Sequence, residues 1–347
     1  MQSPSFNQEK RWPMANETVK IVRFHSLGGP EVLRLDELPL PKPGAGEVRL
    51  RVQAIGLNRA ESMFRSGKYA QQPVFPAKLG YEAAGVVEAI GPKVDAHWLG
   101  KAASVVPSFS LNDYGTYGEV AIVPEYALVE SPKNLSPEQA TSVWMAYMTA
   151  YGPLVAYEKV GKGDFVVITA ASSSVGIAAI EIVKREGAVS IATTRTSKKK
   201  GELLALGADH VIVTEEEDLV ARVKEITGGK GVRVTFDPVG GKGVELLAQA
   251  ATPGGIIYEY GMLAGEPTPF PLGLAIGKGL TVRGYMVGEI FGVKARRKKV
   301  EKYILDNLQA GHFKPRIAKT FPLAQIVDAH RYLESNQQIG KVVVTVP

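Results

Sequence analysis

The sequence predicts an α/β protein: a doubly wound parallel-sheet domain joined to a smaller, β-barrel-type domain that precedes it and is completed by the end of the chain. Three observations predict this. A chain of 347 residues is longer than one hydrophobic core readily fills. Its first third runs in short apolar–polar alternations broken by Gly and Pro. Its middle alternates apolar β-like runs with helical stretches.

Taken in order, residues 1–18 are polar, lack an apolar stretch like that of a signal peptide, and are expected to be a disordered extension, with Met14 a candidate start. Residues 19–145 form the β-rich domain, with strands such as Glu47–Ala54 and Gly85–Ile90 set off by turns reading PLPKPGAGE and GPKVDAHWLGK. Residues 146–290 form the parallel-sheet domain: strands are expected at 165–170, 188–194, 210–213, 232–237, 255–261 and 280–285, most of them followed by a helix. Residues 291–347 carry a basic helix, a strand near 316–321, a helix and a last strand, Lys341–Val346, and return to complete the first domain.

Composition narrows the chemistry. With 45% hydrophobic and 22% charged residues the chain reads as an ordinary soluble protein, and no apolar run reaches the length of a membrane span. The net charge is +6, concentrated at Lys198–Lys200 and Arg296–Lys299. Such runs are mostly solvated helix faces, and no RNA-motif aromatics accompany them, so neither nucleic acid nor a membrane is expected as a partner. The count of zero Cys excludes disulfides and every thiolate zinc site. A cytoplasmic protein acting on a small molecule is expected.

The turn Ala171-Ser172-Ser173-Ser174-Val175-Gly176 joins a strand to a helix, the arrangement in which backbone N–H groups and the helix dipole converge on an anion. In a dinucleotide loop of the form G-x-G-x-x-G the three glycine slots would here hold Ala171, Ser173 and Gly176, so only the third keeps its glycine. A polar turn with a helix cap is the competing reading of these six residues. At the end of the next strand, Thr194, Arg195 and Lys199 offer hydroxyls and cations where a site for NAD would carry an acid, which suits a 2′-phosphate and therefore NADPH. Turns at Val239-Gly240 and Gly261-Met262 fall at later strand ends, where ligands of open parallel sheets lie.

With these features in place, the chain resembles the medium-chain dehydrogenase/reductase superfamily over residues 19–347, and within it the zinc-independent quinone oxidoreductase branch, which includes enone and enoyl-thioester reductases. The stretches that carry the resemblance include GYEAAGVVEAIG, GTYGEVAIVPEYALVESPKNLS, VGKGDFVVITAASSSVG, LGADHVI, VTFDPVGG and the ending GKVVVTV, in the family's order. The resemblance implies a Rossmann domain for NADPH, a GroES-like catalytic domain and a homodimer. Zinc-dependent members carry ligands where this chain has Asn58, Tyr81 and Met145. The resemblance therefore implies metal-free hydride delivery, with Asn58 hydrogen-bonding the substrate oxygen or the cofactor, Tyr69 a proton donor or pocket aromatic, and Tyr81 steering the substrate. It further implies that Thr149 touches the nicotinamide or its ribose, that Arg195 and Lys199 hold the 2′-phosphate, and that Lys341 approaches the cofactor. The chain's five histidines, 25, 97, 210, 312 and 330, show no ligand spacing and are given no role.

The function expected is NADPH-dependent reduction of a quinone or of the C=C bond of an α,β-unsaturated carbonyl compound. Reduction of a ketone or aldehyde is the alternative within enzymes. A non-catalytic nucleotide- or RNA-binding protein is the alternative outside them.

Overall fold

The computed structural model describes residues 18–347; the expected extension, residues 1–17, lies outside the described residues. Thr18, expected to close that extension, instead opens the strand Thr18–Phe24 because it pairs with Pro39 of the antiparallel strand Arg34–Pro39.

The middle of the chain forms a six-stranded, all-parallel sheet. Its order across the sheet is His210–Val213, Val189–Thr194, Phe165–Ile168, Val232–Asp237, Ala251–Glu259 and Thr281–Gly284. The run Val166-Val167-Ile168 is fully buried, as a strand covered by helices on both faces must be. Chain order reverses direction at Phe165–Ile168, which has the second strand on one side and the fourth on the other, so a crevice opens beyond its C-terminal end. The helix Ser174–Glu186 starts there and stops at Gly187, whose φ of +80° ends it in a left-handed cap.

The other large sheet has seven strands built on Glu47–Gly56, which pairs with Glu82–Ile90, Val120–Pro124 and the final strand Lys341–Thr345. Its core holds Val48, Leu50, Val52 and Ile55 from that strand together with Phe24, Phe64 and Val344. Burying such side chains contributes about 1.5–3 kcal/mol each. Phe64 arrives on the helix Arg59–Arg65, a stretch to which the sequence pattern assigned no helix.

The return to this sheet comes later than residue 291. The helix Lys294–Gln309 stays with the parallel sheet, where Val300, Ile304 and Leu308 share a core with Val166 and Ala179. The chain crosses back at Ile317–Pro322, which pairs with Lys341–Thr345. The segment between them brings Gly340 against the turn that precedes the helix Ser174–Glu186: its N–H donates to the Ser172 carbonyl at 2.9 Å. Gly340 thus joins the two sheets next to Lys341.

Candidate active site

Glu82 is the hub of the site. It follows Tyr81 at the start of the strand Glu82–Ile90, is fully buried, and accepts from the Met145 N–H at 2.8 Å, from Asn58 Nδ2 at 3.1 Å and from the Lys341 ammonium. These partners come from the helix Trp144–Tyr151, the cap of the helix Arg59–Arg65 and the last strand. One carboxylate therefore binds Asn58 and the main chain of Met145 and directly follows Tyr81, the three positions that the resemblance aligns with metal ligands. Among the described residues no three His, Cys, Asp or Glu side chains come together as a metal-holding set.

Asn58 is committed to the protein. Its Oδ1 accepts from Lys341 Nζ at 2.7 Å, and its Nδ2 faces Glu82, Glu61 and the Gly56 carbonyl at 3.1–3.3 Å. An amide has two N–H donors, and three acceptors already compete for them. The expected hydrogen bond from Asn58 to a substrate would have to displace one of these. Lys341, expected beside the cofactor, is only 1% exposed and spends its charge on Glu82 and Asn58. Its place in the site is to hold Asn58.

Two phenols stand beside this cluster. The Tyr81 O–H donates to the Tyr69 oxygen at 3.4 Å. Tyr81 is buried and packs on Phe109, while Tyr69 is half-buried and meets Phe64 edge-on. Burial, reinforced by Tyr69 and Glu61, pushes the Tyr81 phenol far above its ordinary value, so it stays a hydrogen-bond donor. With Tyr81 donating, the proton of Tyr69 is left for another acceptor.

The nucleotide side is built at the turn 170–176. Ala170 adopts φ of +45°, and Gly176 sits so close beneath it that a Cβ there would lie 2.6 Å from both Cα and O of Ala171. The glycine is required by that approach. The Ser173 hydroxyl caps the helix, accepting from the Gly176 N–H at 3.0 Å. The amides of Ser174 and Val175 are the first-turn donors left for an anion. Ser172 Oγ accepts from Lys199 Nζ at 3.0 Å, so only the Ser174 hydroxyl is without a protein partner among these serines. Lys199 uses its other two donors on the carbonyls of Asn336 and Gln338 at 2.8 and 3.0 Å, and burial lowers its pKa. Arg195 is exposed at the end of its strand, where Thr194 donates to the Thr196 carbonyl. The turn, its glycine, the two free amides and the adjacent cations fit a dinucleotide phosphate.

Further along the same edge, the Asp237 carboxylate accepts from the N–H groups of Val239 and Gly240 at 3.0 and 2.9 Å and from the Thr169 hydroxyl, which holds this turn rigid. Gly261 packs against it so closely that a Cβ would lie 2.6 Å from the Pro238 carbonyl oxygen; Met262 beyond it is exposed. Thr149 is buried, with its hydroxyl donating to the Met145 carbonyl at 2.5 Å.

Sequence reasoning missed Glu61, Arg65, Glu82, Tyr117 and His330, all buried, and it gave His330 no role. His330 is instead fully buried between Arg65 and Tyr117. Glu61 was legible: an acid three residues after Asn58 is a capping-box spacing, and Glu61 accepts from the Asn58 N–H at 2.7 Å. The others carry no local pattern.

A parallel sheet with a strand–turn–helix at its reversal point, bridged through Ser173 and Gly340 to a mostly antiparallel sheet, defines a dehydrogenase/reductase class. Sequence families described as an alcohol dehydrogenase GroES-like domain and a zinc-binding dehydrogenase match residues 44–133 and 174–307. A 2-haloacrylate reductase from Burkholderia sp is 31% identical over 92% of this chain and 97% of its own length. The quinone oxidoreductase of Pseudomonas aeruginosa is 30% identical over 94% of this chain and 99% of its own. The crystal structure of Escherichia coli quinone oxidoreductase complexed with NADPH superposes with a TM-score of 0.88 at 31% identity, covering 94% of this chain and 99% of that one. The chain belongs to the medium-chain dehydrogenase/reductase family, in its quinone oxidoreductase-like branch, and is an oxidoreductase.

Proposed function

We propose that the protein is a metal-free, NADPH-dependent reductase of the C=C bond of α,β-unsaturated carbonyl compounds or of quinones. The Tyr69–Tyr81 phenol pair carries this function. Such substrates already have an electrophilic carbon, so the protein need only orient the reactants, stabilise developing negative charge on oxygen and supply a proton. Tyr69 is the donor to that oxygen in a quinone, or to the α-carbon of the enolate that hydride addition at the β-carbon leaves. Tyr81, donating to Tyr69 from a dry environment, stabilises the charge left on Tyr69. NADPH, when bound, supplies the hydride. Ser174, Val175, Arg195 and Lys199 would hold its phosphates, and the turns at Val239-Gly240 and Gly261-Met262 its nicotinamide half.

At the zinc-ligand positions of related enzymes stand an amide, a phenol and a thioether, a set that favours no Lewis acid, and Glu82 beside them is taken up by Asn58, Lys341 and the Met145 N–H. The relatives with the names 2-haloacrylate reductase and quinone oxidoreductase support the same substrate classes. Transfer from 4-deuterated NADPH to a model enone tests the reaction: label at the β-carbon is expected, and label at the carbinol carbon would refute it. A turnover screen of quinones, enones and enoyl thioesters then assigns the substrate class. Among the described residues no helix is long and apolar enough to cross a membrane, and we place the protein in the cytoplasm. We also propose a homodimer formed along the edge strand Thr281–Gly284, beside which Phe270, Leu272 and Ile276 are 58–75% exposed. Ile276→Glu should halve the sedimenting mass.

A further inference from the structure

A file of buried polar residues runs away from Asn58 and Tyr81 into the catalytic domain, and the proposed reaction makes no use of it. Arg65 Nη1 lies 2.8 Å from His330 Nδ1; His330 Nε2 lies 3.2 Å from the Tyr117 hydroxyl; that hydroxyl lies 2.5 Å from Glu61 Oε2. Arg65, Tyr117, His330 and Glu61 are each at most 1% exposed. We infer that these four residues form a hydrogen-bond chain of fixed polarity that positions Asn58 and Tyr81 and passes no proton to the reaction. This rests on the reading of Asn58 and Tyr81 as cleft residues.

The polarity is set by the donor inventory. A guanidinium has only donors, so His330 Nδ1 accepts and the ring's single proton sits on Nε2. Nε2–H then donates to the Tyr117 oxygen, and the phenol proton is left with one acceptor, Glu61. Both oxygens of Glu61 already face other donors: Oε2 takes the Asn58 N–H at 2.7 Å, and Oε1 takes the Tyr81 N–H at 2.8 Å. A protonated Glu61 would set its O–H against one of these donors, so the chain holds it as a carboxylate even though burial pushes it upward. Burial, then Arg65 and Arg59, pushes His330 down to about 3, which keeps the ring neutral. The groups facing the ring are Arg65, Arg59, Glu334 and Tyr117. Arg65 is anchored outward by Glu334 at 2.7 Å and by the Gly28 carbonyl at 3.1 Å.

A proton relay needs at least one member able to take a proton at one end and lose another at the far end. Here one terminus is a guanidinium that does not give up its proton, and each link between has one protonation state compatible with both neighbours. The chain instead fixes the Glu61 carboxylate, which grips the backbone of Asn58 and of Tyr81 at once. Arg65, His330, Tyr117 and Glu61 are thus positioning residues.

Two measurements test this. In protein labelled with ¹⁵N-histidine, His330 is identified by elimination after substitution of His25, His97, His210 and His312, which are not buried. Long-range ¹H–¹⁵N correlation is expected to give an unprotonated Nδ1 and a protonated Nε2 that do not change from about pH 5.5 to 8.5. The opposite tautomer, or titration in that range, would overturn the chain. Tyr117→Phe keeps the ring but removes the link. It is expected to lower kcat on the order of tenfold, with NADPH affinity within about twofold of wild type and the solvent deuterium isotope effect on kcat unchanged. An isotope effect abolished by Tyr117→Phe would mean that a proton does travel this path. If no acceptor is reduced at all, the proposed function fails while the tautomer result stands or falls separately.

Discussion

Replacing Gly176 tests whether ASSSVG is a phosphate loop or merely a polar turn. A Cβ built at Gly176 would lie 2.6 Å from Ala171 Cα, 2.6 Å from its O and 2.7 Å from its C, all backbone atoms that cannot swing aside. Restoring ordinary contact requires the turn and the helix start to part by roughly 0.8–1 Å, at a cost of about 1–3 kcal/mol for Ala and more for a branched residue. The strand holding the turn is buried over Val166–Ile168 and paired on both sides, so the displacement falls on the turn itself. There the amides of Ser174 and Val175 must meet a phosphate at hydrogen-bond distance, and a shift of this size forfeits most of that interaction. Gly176→Ala should weaken NADPH binding about tenfold and Gly176→Val should abolish it. Ser173→Gly removes only the helix cap, a loss of a few tenths of a kcal/mol, and should leave binding nearly intact. Fluorescence titration of NADPH, with circular dichroism to verify folding, separates the three variants. Wild-type affinity in a folded Gly176→Val protein would refute the phosphate loop.

Three further outcomes are expected. Lys199→Met removes the cation that ties Ser172 to the Asn336 and Gln338 carbonyls and should raise KM for NADPH about tenfold and KM for NADH by a smaller factor, measured with one acceptor; equal effects on both would detach Lys199 from the 2′-phosphate. Glu259 faces Asp237 with both carboxyl oxygens buried and unpartnered among the described residues, and burial followed by Asp237 pushes it up to about 8. It is therefore protonated below that value and ionises against Asp237 above it, so NADPH affinity should fall as pH rises through about 8; in Glu259→Gln the affinity should stay flat to pH 9. For His330 the folded value of about 3 lies below the unfolded 6.5, so the unfolded chain binds the extra proton between them. Its contribution to stability is whole above pH 6.5 and drains at up to about 1.4 kcal/mol per pH unit as pH falls toward 3; denaturant titrations of wild type and His330→Gln should diverge in that window and run parallel above it.

The range of each interaction decided how much of the fold and site the sequence could convey. The strands 210–213 and 232–237 were legible to the residue because a buried parallel strand is an apolar run whose ends are set by local turns. The helix Lys294–Gln309 was legible as a helix, yet its partner was not, since Val300 and Ile304 would fill either core equally well. The same limit separates Glu61 from His330. Glu61 meets Asn58 three residues away, but His330 meets Arg65 across 265 positions, on a helix face where a lone histidine reads as packing. Lys341 shows the limit from the other side: the resemblance implied that it approaches the cofactor. Only the fold shows that its ammonium turns to Glu82 and Asn58, across 259 and 283 positions.

That turn also explains how the candidate site holds four ionised groups away from water. Glu82 and Lys341 neutralise each other in direct contact, whereas Glu61 and Arg65 do so through the two neutral rings of Tyr117 and His330. Burying one such charge alone costs several kcal/mol, and removing its partner typically destabilises by about 3–5 kcal/mol. Lys341→Met should therefore cost more stability than Lys341→Met combined with Glu82→Gln, because the double variant leaves no unpaired Glu82 carboxylate behind. An apolar replacement of all four could recover the stability, but it would free the Asn58 amide to rotate and the Tyr81 backbone to drift from Tyr69. The buried charges hold the geometry of the phenol pair, and the double variant is expected to be stable and slow.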